Sequence, residues 1–115
     1  MDGNTIELFD ADGDNTAQAG RTSGCYLDYL HVINPNTAQA FIQLFDAAAA
    51  GVTVGTTTPT LSFLVPAGDG VQSGAFERSF YRPIHFTTAL TYACTTTATG
   101  SGDPTTGLTV NIVTH

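Results

Sequence analysis

Residues 25–65 read CYLDYLHVINPNTAQAFIQLFDAAAAGVTVGTTTPTLSFLV, two apolar runs broken by one turn signal, then a Gly/Thr-rich passage and a third run. Between Cys25 and Ile33, the side chains of Leu27, Tyr29, His31 and Ile33 share one face of an extended chain, and Tyr26, Asp28, Leu30 and Val32 the other. Both faces are largely apolar, the pattern of a central strand covered on both sides. Asn34-Pro35-Asn36 ends it, because Asn favours turn geometry and Pro fixes φ. From Gln39 to Asp46 the aliphatic face of Ala40, Ile42 and Leu44 belongs to a core, opposite Gln39, Phe41, Gln43 and Phe45. Two phenylalanines on that amphipathic face mark it as a contact surface, unless the chain itself covers them as a second half of the core. Ala47 to Ala50 has the propensity for a helical turn, which Gly51 and the β-branched Val52, Thr53 and Val54 stop within one turn. After a bend at 55–59, Leu61, Phe63 and Val65 alternate as a third strand.

Downstream, residues 71–77 read as a strand weakened by Gly74, 79–83 as an irregular aromatic passage, and 84–86 as a short strand. Leu90, Tyr92 and Cys94 alternate with Thr91, Ala93 and Thr95. Beyond the Gly/Ser/Pro loop at 100–104, Leu108, Val110 and Ile112 form the clearest alternation in the chain. Upstream, residues 1–24 read as an acidic, Gly-rich arm with Asp2, Asp10, Asp12 and Asp14 and one short strand at 5–9, set apart from a domain of residues 25–115. About eight short strands separated by turns, with no helix, predict an all-β fold: an antiparallel β-sandwich, jelly-roll-like. Its expected core contains Ile42, Leu44, Leu61, Phe63, Leu108, Val110 and Ile112.

At 115 residues the chain is one domain's worth, large enough to bury a core without metals or staples. Charged residues make up 11% of it, against about 25% in typical domains. There is no Lys, and the cations are Arg21, Arg78 and Arg82. So few charges point to a surface that largely faces other protein, as oligomer contacts or a large partner. The net charge of −7 argues against nucleic acid, which needs clustered cations, and against anionic membrane surfaces. No apolar run approaches the roughly 18 residues of a membrane span. The N-terminus lacks the basic and apolar regions of a secretory leader, so the chain is expected to act where it is made or as part of an assembly.

No chemistry-bearing constellation stands out, and neither an enzyme nor a cofactor is expected. No serine sits in a nucleophile elbow, and no Gly-rich phosphate loop precedes a helix. His31, His85 and His115 have no metal-ligand spacing. The run Asp10-x-Asp12-Gly13-Asp14 is similar to a calcium loop, yet the positions that should be Gly and Glu are Asn15 and Arg21, so it reads as a solvated acidic loop. Cys25 and Cys94 read as buried thiols, a disulfide being the alternative that their separation would decide. Phe76, Phe80, Tyr81 and Phe86 around Arg78 and Arg82 read as packing, with an exposed aromatic–arginine anchor as the alternative.

The stretch FIQLFDAAAAGVTVGTTTPTLSFLVP (41–66) and the tail PIHFTTALTYACTTTATGSGDPTTGLTVNIV (83–113) resemble small all-β virion proteins of tailed bacteriophages, which serve as capsid cement (decoration) or head-associated proteins. The resemblance implies a jelly-roll-like sandwich, a homo-oligomer (trimer or dimer), the major capsid protein as partner, a place on the capsid surface after synthesis in the host cytoplasm, and no catalysis. Expected contacts are Phe41 and Phe45, the segment Phe80, Tyr81 and Arg82, and Ile6, Leu8 and Phe9 of the arm. The alternatives are a host-recognition module of a head or tail fibre, binding glycan at Tyr81 or Tyr92 near an acidic residue such as Glu77, and a calcium-dependent binding domain.

Overall fold

The computed structural model describes residues 5–115. Eight strands follow one another: β1 (Ile6–Gly13), β2 (Gln18–Arg21), β3 (Cys25–Asn34), β4 (Ala40–Phe45), β5 (Leu61–Val65), β6 (Gly74–Phe86), β7 (Leu90–Thr95) and β8 (Leu108–Thr114). A single 3-10 turn, Ala49–Gly51, lies between β4 and β5. The chain behaves as one long hairpin with β4–β5 at its closed end, so that β1 pairs with β8, β2 with β7, β3 with β6 and β4 with β5, all antiparallel. Rolling that hairpin up adds the pairs β3·β8 and β4·β7. Two four-stranded sheets result, ordered β1-β8-β3-β6 and β2-β7-β4-β5. This is the jelly-roll arrangement, and the expected β-sandwich is the fold.

About eight strands were expected and eight are present among the described residues, but they are not the same eight. The residues 71–77 and 84–86 belong to one long strand, β6, which begins at Gly74 and runs through the aromatic passage. The eighth strand is β2, in the arm, where only the one short strand at 5–9 was expected. Residues 6–21, set apart in sequence as an arm, supply an edge strand to each sheet. The first four residues of that arm, Asp2 among them, lie outside the described residues.

Between the sheets sit Leu27, Leu30 and Val32 of β3, Ile42 and Leu44 of β4, Leu90, Tyr92 and Cys94 of β7, and Leu108, Val110 and Ile112 of β8. Leu61 and Phe63 are only partly buried and pack against this core. Phe63 stacks on Phe76 of the facing sheet with ring centroids 5.0 Å apart, closing the sandwich along one side.

The two apolar faces of β3 have a different cause from the one expected. Leu27 and Tyr29 pair with consecutive residues of β8, Thr114 and Val113, so Asp28 is an extra residue, a β-bulge. The buried positions are therefore Cys25 and Leu27 before the bulge and Leu30, Val32 and Asn34 after it. One change of phase produces apolar residues at both parities while the outer face stays open. The strands covered on both sides are β4 and β7. Over their outer face Gln43 Nε2 donates to the carbonyls of Thr97 (3.3 Å) and Gly100 (3.0 Å), Thr91 Oγ1 donates to Ala47 O (2.6 Å), and Ser62 Oγ to Ala98 O (2.8 Å). The loops after β4 and β7 thus form a lid on that sheet.

Asp46, just past β4, ties β4 to the β6–β7 turn. Its carboxylate accepts hydrogen bonds from Thr87 N (2.9 Å), Thr87 Oγ1 (3.0 Å), Thr88 N (2.8 Å) and Ala89 N (3.4 Å). Partial burial pushes its pKa up, but the backbone and hydroxyl donors together outweigh that and hold it below the ordinary carboxylate value. A depressed pKa stabilises the fold above the unfolded carboxylate range, and the contribution disappears as pH falls through the folded value. Asp46→Asn, which turns an amide donor toward backbone donors, is expected to lower stability at neutral pH by roughly 1–2 kcal/mol, discounted for the partly solvated site. The gap between variant and wild type should close in acid. Urea unfolding of both proteins at neutral pH and below the carboxylate range checks this; a gap that persists in acid would assign the loss to packing instead.

Candidate functional site

The eight expected contact residues separate into three groups. Phe45 is 1% exposed and Gln43 fully buried, so the Phe41/Phe45 face is not a free surface: the lid described above covers Phe45, and Phe41 is half-buried. That corrects the reading of the amphipathic face, which is the second half of the core at Phe45. Leu8 and Phe80 are partly buried against the core; Phe80 lies 6.2 Å from Phe63 and under the Arg78 guanidinium, 5.8 Å from ring centroid to Cζ. The third group is open: Ile6 at 44%, Phe9 at 68% and Tyr81 at 97% exposure, with Arg82 exposed beside Tyr81.

Tyr81 owes its position to the β3–β6 register. Leu27 pairs with Ile84 and Tyr29 with Ser79, so Phe80, Tyr81, Arg82 and Pro83 face the single bulged residue Asp28. Four residues opposite one cannot lie flat in the ladder and must bow outward. Phe80 turns in to the core and Tyr81 turns out. Arg78 and Arg82, two of the chain's three cations, flank this projection, and Arg82 has no ion-pair partner among the described residues. Ile6 and Phe9 lie on β1, at the opposite edge of the same sheet.

Tyr92, named with Tyr81 as a glycan platform, is 2% exposed. Its hydroxyl donates to Asp10 Oδ2 at 2.7 Å, and burial first, then that bond, pushes its pKa strongly upward. It is a core residue and presents no ring to a ligand. The acidic run expected as a loop lies in β1 as far as Gly13, and its carboxylates are occupied with their own backbone: Asp10 Oδ1 accepts from Asp12 N (3.0 Å) and Asp14 Oδ1 from Thr16 N (2.9 Å). Gly13 is buried there and packs so closely that a Cβ would stand 2.9 Å from Val110 Cγ2 and 3.0 Å from Cys94 Sγ. Among the described residues no three His, Cys, Asp or Glu side chains gather as a metal site. Cys25 and Cys94 are separate buried thiols; burial first, then the charges of Asp10 and Asp14, pushes Cys94 up to about 12.

The outer face of the β1-β8-β3-β6 sheet, which no loop covers in the way described for the other sheet, carries groups that sequence reading left unassembled. Register aligns Phe9, Asn111, His31 and Glu77 in one row across the four strands, and Glu7, Val113, Tyr29 and Ser79 in the next. Tyr29 Oη donates to Glu77 Oε2, and that bond raises the tyrosine pKa. A depression of about 440 Å³ is lined by Glu7, Phe9, Tyr29, His31, Asn111 and Val113. The only local signal was the i, i+2 repetition of Glu7/Phe9, Tyr29/His31 and Asn111/Val113. At the end of the sheet Tyr26 stacks between His85 (4.5 Å) and His115 (5.1 Å), and His115 Nδ1 lies 2.7 Å from Asp28 Oδ2. Among the described residues no helix is long and apolar enough to cross a membrane. Comparison with family models, with curated proteins and with solved structures found no match to this chain.

Proposed function

We propose that this chain is a structural virion protein, a capsid cement or decoration protein that stabilises a shell by bridging neighbouring capsid subunits. The observation that carries the reading is the outward-bowed Tyr81, 97% exposed, between Arg78 and Arg82 on an otherwise acidic chain. Tyr and Arg are the residue types that dominate binding hot spots. A bridging protein also needs a second contact surface away from the first, and Ile6 and Phe9 provide apolar groups at the opposite sheet edge. The jelly roll is a frequent capsid architecture, which supports the reading by analogy of fold alone. The partner is the major capsid protein, the working unit a trimer or dimer, and the place of action the capsid surface.

Tyr81→Ser is expected to leave the unfolding midpoint unchanged, since the ring makes no packing contact, and to weaken binding to empty shells by roughly 30-fold, the effect of losing a 2 kcal/mol hot spot. Co-sedimentation of purified wild type and variant with shells measures it. Equal occupancy would remove Tyr81 as the anchor, and failure of the wild type to bind any shell would remove the capsid reading.

A further inference from the structure

We infer that the depression on the outer face of the β1-β8-β3-β6 sheet is a binding site for a neutral saccharide. Its shape follows from side-chain length: Asn111 and Val113 on β8 are short, while Glu7 and Phe9 on β1 and Tyr29 and His31 on β3 rise on either side. The resulting trough of about 440 Å³ falls within the range of about 300–1,000 Å³ typical of small-ligand sites.

The lining chooses the ligand. Backbone groups of β8 and β3 are committed to ladders on both sides, so a molecule lying over them is read by side chains alone. Those side chains are an aromatic ring exposed at 68%, Phe9, a tyrosine, an amide, an imidazole and the carboxylate of Glu7, with Glu77 adjacent through its bond from Tyr29. No Lys or Arg lines the trough, which disfavours phosphates, sulfates and acidic sugars. A pyranose ring matches the set: its C–H face packs on an aromatic ring, and its hydroxyls donate to carboxylates and both donate to and accept from an amide. The side chains of Asn111 and Glu7 have no hydrogen-bond partner among the described residues, leaving their capacity for a ligand.

This site is independent of the capsid reading, because it uses neither Tyr81 nor Arg82. The test is titration of the isotopically labelled full chain with glucose, galactose, N-acetylglucosamine, lactose and maltose, followed by amide chemical shifts. At least one sugar should perturb amides around Phe9, Tyr29 and Asn111 in a saturable manner. Asn111→Ala and Tyr29→Ala should each weaken it by about tenfold, the effect of one lost hydrogen bond to a desolvated partner. Tyr81→Ser, the variant that tests shell binding, should bind the sugar like wild type. No saturable shift with any of the five sugars would overturn the inference. So would an equal response to an oligoarginine peptide in place of sugar, which would make the trough an acidic peptide groove.

Discussion

A chain lacking residues 1–24 is expected to show no cooperative unfolding transition. The acidic segment reads in sequence as an appendage that can be removed while the domain stays folded, but in the fold it is structural at both edges. β1 pairs with β8 and β2 with β7, Leu8 packs on the core, and Tyr92 loses its Asp10 acceptor without it. Asp14 O accepts from Cys94 N at 2.7 Å, and Arg21 Nη1 donates to Thr114 Oγ1 at 2.9 Å. Ladder hydrogen bonds at about 1 kcal/mol net each, added to the uncovered core side chains, approach the whole stability of a domain, about 5–15 kcal/mol. The truncated protein would also present β7 and β8 as bare apolar edges, a template for aggregation. Urea unfolding followed by circular dichroism, with size-exclusion chromatography, decides the matter; a monomer with the wild-type midpoint would show that the two edge strands are dispensable. Point substitutions at Ile6 and Phe9, rather than truncation, therefore test the contact role of β1.

Phe45→Ser is expected to be the most damaging single change on β4. Truncating a buried Phe costs about 3–5 kcal/mol, and the serine hydroxyl adds a buried polar group beneath the lid. At 1% exposure nothing relieves either term, so Tm should fall by on the order of 15 °C. Phe41→Ser, four residues earlier on the same face, should cost only about 1–2 kcal/mol because that ring is half-buried near the strand start. Parallel urea titrations give both values. If the two variants lose the same small amount and instead fail to assemble, the face is an interface after all.

Much of the fold was legible because alternation is a local code. Ile42 with Leu44, and Leu108 with Val110 and Ile112, needed only the period of two to be placed in the core. Turn residues at 34–36 and 100–104 marked the breaks correctly, and the brief helical turn after Ala48 stops at Gly51 as expected. The misreadings have three separate origins. Bulging at Asp28 changes the phase of β3, and nothing in residues 25–34 alone distinguishes a phase change from a strand buried on both faces. Phe41 and Phe45 looked alike because the pattern is the same for an exposed face and a lidded one. β2, only four residues long and flanked by Gly and Ser, has no alternation long enough to read.

The candidate surfaces divide in the same way. Tyr81 and Arg82 could be named from residue type, but their exposure follows from pairing four residues of β6 against one of β3. Glu7, Tyr29, His31, Glu77 and Asn111 could not be assembled at all, since they come from four strands that span the length of the chain. By itself the sequence determined an all-β sandwich and its aliphatic core, because residues two apart on an extended chain share a face regardless of what lies beyond. Only the tertiary structure decided which faces are covered and which stay open. Cover comes from groups far apart along the chain, as when Gly100 closes over Gln43, 57 positions earlier, and no local pattern encodes a contact of that range.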